Sequence, residues 1–321
     1  MDAVRSVLDS PVDRAAYEII VAIDHIDEPL AGALRTLGVV VLPVNSTGGG
    51  EMVVAGIRAA RGEILAFLDD DDCFLPEKLA RVLEVFQDPD LVWYRHGFRR
   101  VDVQRRPLRT GGHEPVAPHK YVAPLSREEF GRIRRAGGFY NTTCHTVRAD
   151  AVRPHADEFV RVIFSLDWAV PLLSSTQGKV LIDLGRVLSE YRTHWSLDSH
   201  PFDGDEIPAE HLRKLRGIVR EFCWLAEVAP SAGARAFIQR RADSYEALLW
   251  TTRRESVQNP RTAFPRAIRA VLGNLEERDL FHAAVLGLLV TMGFLSSRAT
   301  ERVYTAMKRV EMRTHGLEAS R

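Results

Sequence analysis

Cysteine, lysine, net charge and long apolar runs are all scarce in this sequence. Three cysteines, Cys73, Cys144 and Cys223, stand far apart in 321 residues with no CxxC pair. That excludes a disulfide framework, a cysteine zinc site and a dithiol redox couple, and a reducing compartment is expected. Lys+Arg and Asp+Glu both total 43, so no global field exists to hold a nucleic acid backbone, and nucleic acid is not an expected partner. Only five of the basic residues are lysine, a bias that marks no phosphate-binding surface. No window reaches the roughly 18 uninterrupted apolar residues of a spanning helix, and the first residues lack the apolar stretch of a signal peptide. The nearest run, Leu280 to Leu295, contains His282, Thr291 and two glycines and is expected to form a buried helix, with peripheral membrane contact through the carboxyl-terminal region as the alternative. These absences lead us to expect a cytoplasmic protein, at most peripheral at the inner face of the membrane.

What is present is ordinary globular composition, 45% hydrophobic and 27% charged, enough for a sizeable core. Short apolar runs alternate with helical patterns through the first two thirds, which predicts a sheet covered by helices. Strands are expected at Tyr17 to Asp24, Gly38 to Val44, Ile64 to Leu68, Leu91 to Phe98, Thr142 to Arg148, Lys179 to Leu184 and Val187 to Arg192. Helices are expected over Glu51 to Arg61, from Pro76 at its first turn, and over Trp168 to Ser175. Arg105 to Tyr121 reads as a long loop. After His200 to Pro208 only helical periodicity remains. The division is therefore an α/β domain over residues 1–200 and a helical domain over 208–321.

The most informative feature is Phe67-Leu68-Asp69-Asp70-Asp71-Asp72-Cys73-Phe74-Leu75-Pro76, four carboxylates at the carboxyl end of a buried strand. Ligand sites of open α/β sheets lie at that edge. Adjacent carboxylates repel unless a cation shares them, and a hard divalent ion suits that role. An EF-hand loop is excluded, because the sixth position from Asp69 is Phe74 and the twelfth is Ala80. If the strand stays extended, Asp69 and Asp71 face one side while Asp70 and Asp72 point elsewhere.

The run from Gly62 through Asp72 to Pro76-Glu77-Lys78-Leu79 resembles the DxD segment of family 2 glycosyltransferases of the GT-A fold. Glu18 to Asp24 is similar to the family strand whose final aspartate meets the nucleotide base. Leu166-Asp167-Trp168 stands where the family has Glu-Asp, and Tyr191-Arg192-Thr193-His194 resembles its Tyr-Arg-x-His segment. The likeness covers about residues 3–200. It departs at three places: the family's opening strand has no counterpart before the helix that starts at Met1, Val54-Ala55 replaces an Arg-Asn pair, and Leu166 replaces a glutamate.

The resemblance implies a GT-A domain with a mostly parallel mixed sheet, followed by helices. It implies an inverting, metal-dependent glycosyltransferase of the hexosyltransferase type, using a nucleoside-diphosphate sugar donor, an acceptor hydroxyl and Mn²⁺ or Mg²⁺. Asp167 would be the general base, and Asp69, Asp71, Asp72 and His194 the metal ligands. Asp24, Asp69, Asp70 and Arg192 would meet the donor. Trp168 and Trp195 could stack on a sugar. A noncatalytic sugar-nucleotide or partner-binding module is the rival; a nucleotidyltransferase would need a Gly-rich basic loop near the amino terminus, and none is present. A Cys144–His145 nucleophile pair is rejected, because neighbours on a strand face opposite sides.

Overall fold

Apolar runs too short for helices become strands here, and the computed structural model describes residues 1–25, 27–46, 48–108, 117–193, 207–252, 265, 267–272, 284–290 and 297–314. In chain order the elements are α1 (Asp2–Leu8), β1 (Ile20–Ile23), α2 (Glu28–Thr36), β2 (Val40–Pro43), α3 (Gly49–Ala59), β3 (Ile64–Ala66), β4 (Cys73–Phe74), α4 (Lys78–Val85) and β5 (Leu91–Val101). There follow β6 (His119–Ala123), α5 (Arg127–Arg135), β7 (His145–Arg148), α6 (Ala149–Val152), α7 (Leu166–Ser174), β8 (Gly178–Arg192), α8 (Ala209–Val228) and α9 (Ala232–Thr252), and a last helix spans Ser297–Thr314. After residue 207 the described elements are all helical.

The strands form two sheets. One has the order β3-β7-β5-β8-β4, with β6 also on β8; the other is the parallel pair β1-β2. β5 and β8 run parallel at the centre, and Trp93, Tyr94 and Val180 are fully buried there. β1 and β3 start at one level, because Glu18, just before β1, accepts the backbone N–H groups of Arg61 and Gly62, just before β3, at 2.7 and 2.9 Å. Neither strand bonds the other: β1 has its ladder with β2 and β3 with β7. The strands of the described residues thus fall into two sheets, divided between β1 and β3.

Several boundaries depart from expectation for local reasons. The two strands expected at Lys179 to Leu184 and Val187 to Arg192 are one strand, β8, with a bulge where the register jumps from His96↔Asp183 to Gly97↔Val187. A Cβ at Gly97 would collide with the Leu184 carbonyl, so the bulge requires glycine there. The helix expected to open at Pro76 begins at Lys78, because Pro76 and Glu77 form a turn closed by Lys78 N–H donating to Leu75 O. The end of the expected loop from Arg105 to Tyr121 belongs to β6, and residues 109–116 lie outside the described part. Within Leu280 to Leu295, residues 284–290 are helical, and Leu286, Leu289 and Val290 are buried in a helical cluster with Trp250 and Tyr304. Among the described residues no helix is long and apolar enough to cross a membrane.

The main core joins both regions. Phe222, Leu225, Phe237 and Ile238 of α8 and α9 pack with Trp93, Phe139, Val170 and Leu173. Trp168, expected as a sugar-stacking residue, is instead part of this seam: its ring stacks on Phe139 at 4.9 Å and meets Phe222 at 5.2 Å.

Candidate functional site

Parallel strands bring their carboxyl ends to one edge, and here that edge gathers Asp24 after β1, the acidic run after β3 and Arg192 at the end of β8. The run does not stay extended. Asp72 N–H donates to Asp69 O at 3.2 Å across a turn at Asp70 and Asp71, so the predicted strand alternation of the four carboxylates is replaced by a β-turn. The physical reason is repulsion: turning leaves Asp70 in water and lets Asp72 collect donors. Asp72, 1% exposed, accepts from Asn141 Nδ2 at 2.9 Å and from the Arg192 backbone N–H at 3.0 Å. It therefore ties the turn to β8 and to the loop before β7.

Asp69 sits inward. Its backbone N–H donates to Thr143 Oγ1 at 3.1 Å. Burial pushes its carboxyl up to about 7, and the charges of Asp72, Asp71 and Asp167 push the same way. That coupling brings Asp167, nearly a hundred residues on, to the acidic turn. Asp167 lies in the first turn of α7, whose N-cap is Ser165, so it is not the cap residue. Burial raises its carboxyl to about 7 as well, against the pull of its own and Trp168's backbone N–H groups and of Lys214 and Arg95.

Asp24 is exposed at the end of β1. Arg192 is committed elsewhere: its guanidinium pairs with Asp2 at 3.1 Å. His194 and Trp195 lie outside the described residues. Among the described residues no three His, Cys, Asp or Glu side chains converge on a point. Two carboxylates with substrate phosphates are a common way to hold Mg²⁺ or Mn²⁺; burial first and the neighbouring carboxylates second lift Asp69, and a cation would offset the repulsive part. Asp69 and Asp71 therefore fit such an ion. Cys144 and His145 take different partners, Ser189 Oγ and Trp93 Nε1, although not by strand alternation: the strand expected from Thr142 begins at His145, and Thr142–Cys144 form a 3-10 turn.

Sequence reasoning misses two supports of this site. Glu221 of α8, 4% exposed, accepts the backbone N–H groups of Ile163 and Phe164 at 3.0 and 3.1 Å, fixing the approach to Asp167. A charge one position before the buried Phe222 is the signal that could have found it. Arg95, also buried, donates to the carbonyls of Gly138, Gly137 and Tyr140 and so shapes the loop that delivers Asn141.

Known proteins share part of this sequence and its fold. Residues 2–153 match Glycosyl transferase family 2. An uncharacterized glycosyltransferase of Nostoc sp. is 50% identical over 48 residues, 15% of either chain. One from Haemophilus influenzae is 46% identical over 50 residues, 15% of this chain and 17% of that one. The match thus spans less than a fifth of each relative's length. Among solved structures, S. aureus TarS 1-349 superposes with a TM-score of 0.53 at 14% identity, covering 94% of this chain and 86% of that one. The same protein with UDP-GlcNAc gives 0.53 at 12% identity with the same coverage. At such identities the likeness is one of fold.

Proposed function

We propose that this chain, whose residues 2–153 match Glycosyl transferase family 2 and whose fold is like that of S. aureus TarS, transfers a sugar from a nucleoside-diphosphate sugar to an acceptor hydroxyl with inversion. The observation that carries this reading is the acidic turn at the carboxyl edge, where Asp72 is tied to Asn141 and to the Arg192 backbone and where the charge of Asp167 acts on buried Asp69, both carboxyls being raised to about 7. A general base works best with a pKa near the operating pH. Asp167 accepts the proton of the acceptor hydroxyl as its oxygen bonds the anomeric carbon; the bond from that carbon to the diphosphate breaks on the opposite face, and the diphosphate leaves with the electron pair. Asp69 and Asp71 would hold a divalent ion, Mn²⁺ or Mg²⁺, which supplies Lewis-acid stabilisation to the leaving diphosphate. Asp72 keeps the turn in place through Asn141 and Arg192 N–H. Asp24 meets the nucleotide base from β1. The proposal keeps the expected cytoplasmic location, at most peripheral at the inner face of the membrane.

TarS was crystallised with UDP-GlcNAc, so that donor is the first to test. Release of UDP with water as acceptor should be measurable with Mn²⁺. Asp167→Asn should lower that rate by about 10²- to 10⁴-fold while leaving UDP affinity, read by calorimetry, unchanged. Full turnover by Asp167→Asn would remove the base assignment. Binding of UDP, GDP, dTDP or ADP without turnover of any corresponding sugar nucleotide would favour the noncatalytic module.

A further inference from the structure

Two tyrosines reach the acidic turn through their chain neighbours. Tyr140 precedes Asn141 and Tyr191 precedes Arg192, and both of those neighbours donate to Asp72. The two rings meet edge to face with centroids 5.5 Å apart. Phe98, on β5, stacks on Tyr140 at 5.4 Å and meets Tyr191 at 5.7 Å. The Arg100 guanidinium lies 5.5 Å from one tyrosine ring and 5.6 Å from the other, with Nη2 donating to the Tyr140 hydroxyl at 3.4 Å. Tyr140 is 38% exposed, yet it is held firmly: its carbonyl takes a hydrogen bond from buried Arg95 at 2.8 Å. Asn141 adopts φ 65, a conformation uncommon outside glycine. One exposed tyrosine ring, backed by the half-buried Phe98, Tyr191 and Arg100, is thus fixed next to the turn.

Charge at this edge is uneven. Arg99 and Arg105 share the single carboxylate of Glu190, while Arg192 pairs with Asp2 and Arg106 with Asp102. Arg100 has no carboxylate partner among the described residues. Aromatic rings offer an apolar face to the C–H side of a sugar ring, and a guanidinium at their rim binds phosphate or carboxylate through charge-assisted hydrogen bonds. A nucleotide base is a poorer fit, because Asp24 and β1 belong to the other sheet, beyond β3, whereas this platform stands on β5 and β8.

We infer that Phe98, Arg100, Tyr140 and Tyr191 form an acceptor subsite for a saccharide carrying an anionic group, phosphate or carboxylate, an inference that rests on the glycosyl-transfer reading of the acidic turn. Arg100 binds the anion, and the tyrosines set the sugar ring beside the carboxylates.

The test uses the full chain and three probes, methyl glucoside, glucuronic acid and glucose 6-phosphate, with affinities measured by NMR titration. A parallel calorimetric arm measures UDP, GDP, dTDP and ADP. Wild type should bind at least one anionic probe about tenfold more tightly than methyl glucoside, and the better of the two identifies the anion. Arg100→Gln should reduce that probe to the level of methyl glucoside, and Tyr140→Ala should weaken all three probes while Tyr140→Phe retains them. Nucleotide affinity should stay within about twofold throughout, since these contacts lie outside the donor site. If nucleotide binds but the anionic preference is missing, or survives Arg100→Gln, the subsite is wrong and the transfer reading stands. If Arg100→Gln weakens the nucleotide instead, Arg100 belongs to the donor and the subsite is again overturned. If no nucleotide binds the wild type while the sugar preference persists, the transfer reading fails and takes the acceptor role with it. Should Tyr140→Ala fail to fold, Arg100→Gln and Tyr140→Phe still decide the matter.

Discussion

Lys78 is fully buried at the first turn of α4, where the helix dipole already disfavours a cation. Its Nζ donates to Thr146 Oγ1 at 3.0 Å, and the nearest rings, Phe74 and Tyr94, lie 5.2 and 6.0 Å away. Burial, with the nearby Arg95 charge adding to it, lowers its pKa from 10.5 to about 7. A lowered pKa on a basic group means that the unfolded chain binds the proton more tightly, so the native state loses stability as pH falls from 10.5 toward 7. Below 7 that loss is complete. At about 1.36 kcal/mol per unit, the penalty is about 4 kcal/mol at pH 7.5 and about 1.4 kcal/mol at pH 9.5. Lys78→Met fills similar volume and gives up one hydrogen bond, worth about 1 kcal/mol. Urea denaturation should therefore show the variant about 3 kcal/mol more stable than wild type at pH 7.5 and nearly equal at pH 9.5. A gain that is the same at both pH values would refute the argument, since packing alone does not titrate.

Asp69 works in the opposite sense. Its folded pKa, about 7 against 3.8, costs stability progressively as pH rises from 3.8, and the loss is complete above about 7. Allowing for solvent screening of a partly exposed group, Asp69→Asn should stabilise the metal-free protein by about 2 kcal/mol at pH 8 and by under about 0.5 kcal/mol at pH 4; added Mn²⁺ should raise the melting temperature of wild type only. Gly50→Ala should destabilise strongly, by about 3 kcal/mol or more, because a Cβ there would collide with the carbonyls of Phe159 and Val162; equilibrium unfolding measures it, and a change within about 0.5 kcal/mol would show that the helix can shift. In the sheets, Val40 N–H and Val44 N–H donate to Ile19 O and Ile23 O, so the alternate residues Ile20 and Ala22 point their N–H groups away from β2, as Ile64 and Ala66 point away from β7. Hydrogen exchange should leave these four amides at least about a thousandfold less protected than Tyr94 and Ile182, each of which lies on a strand with a partner on either side. Equal protection would mean that another strand occupies the slot in solution.

Elements that bury a run of their own are legible from the sequence. β1, β2, β3 and β5 fall inside or across the expected strands because each needs an apolar stretch, and α3 follows the buried Val54 and Ile57. The acidic turn is legible as chemistry but not as geometry. Strand alternation assigns its carboxylates to two faces, whereas repulsion and the donors of Asn141 and Arg192 decide its shape, and those donors lie 69 and 120 residues away. Glu221 and Arg95 are invisible for the same reason, as their roles exist only once α8 meets the approach to α7 and β5 meets the loop at Gly137 to Tyr140. The divided sheet carries the most consequence for the site. Asp69 through Asp72 are braced from the β7 and β8 side by Thr143, Asn141 and Arg192, while Asp24 rides on the β1-β2 pair. The pair is held to the rest by Glu18 and by an apolar cluster of Val4, Val7, Ile19, Leu34, Val39 and Phe74. The two halves that the proposed donor would bridge therefore take their relative position from α1 and that cluster rather than from a shared ladder. Weakening the cluster should consequently act on nucleotide affinity before it acts on the geometry of Asp69 and Asp167.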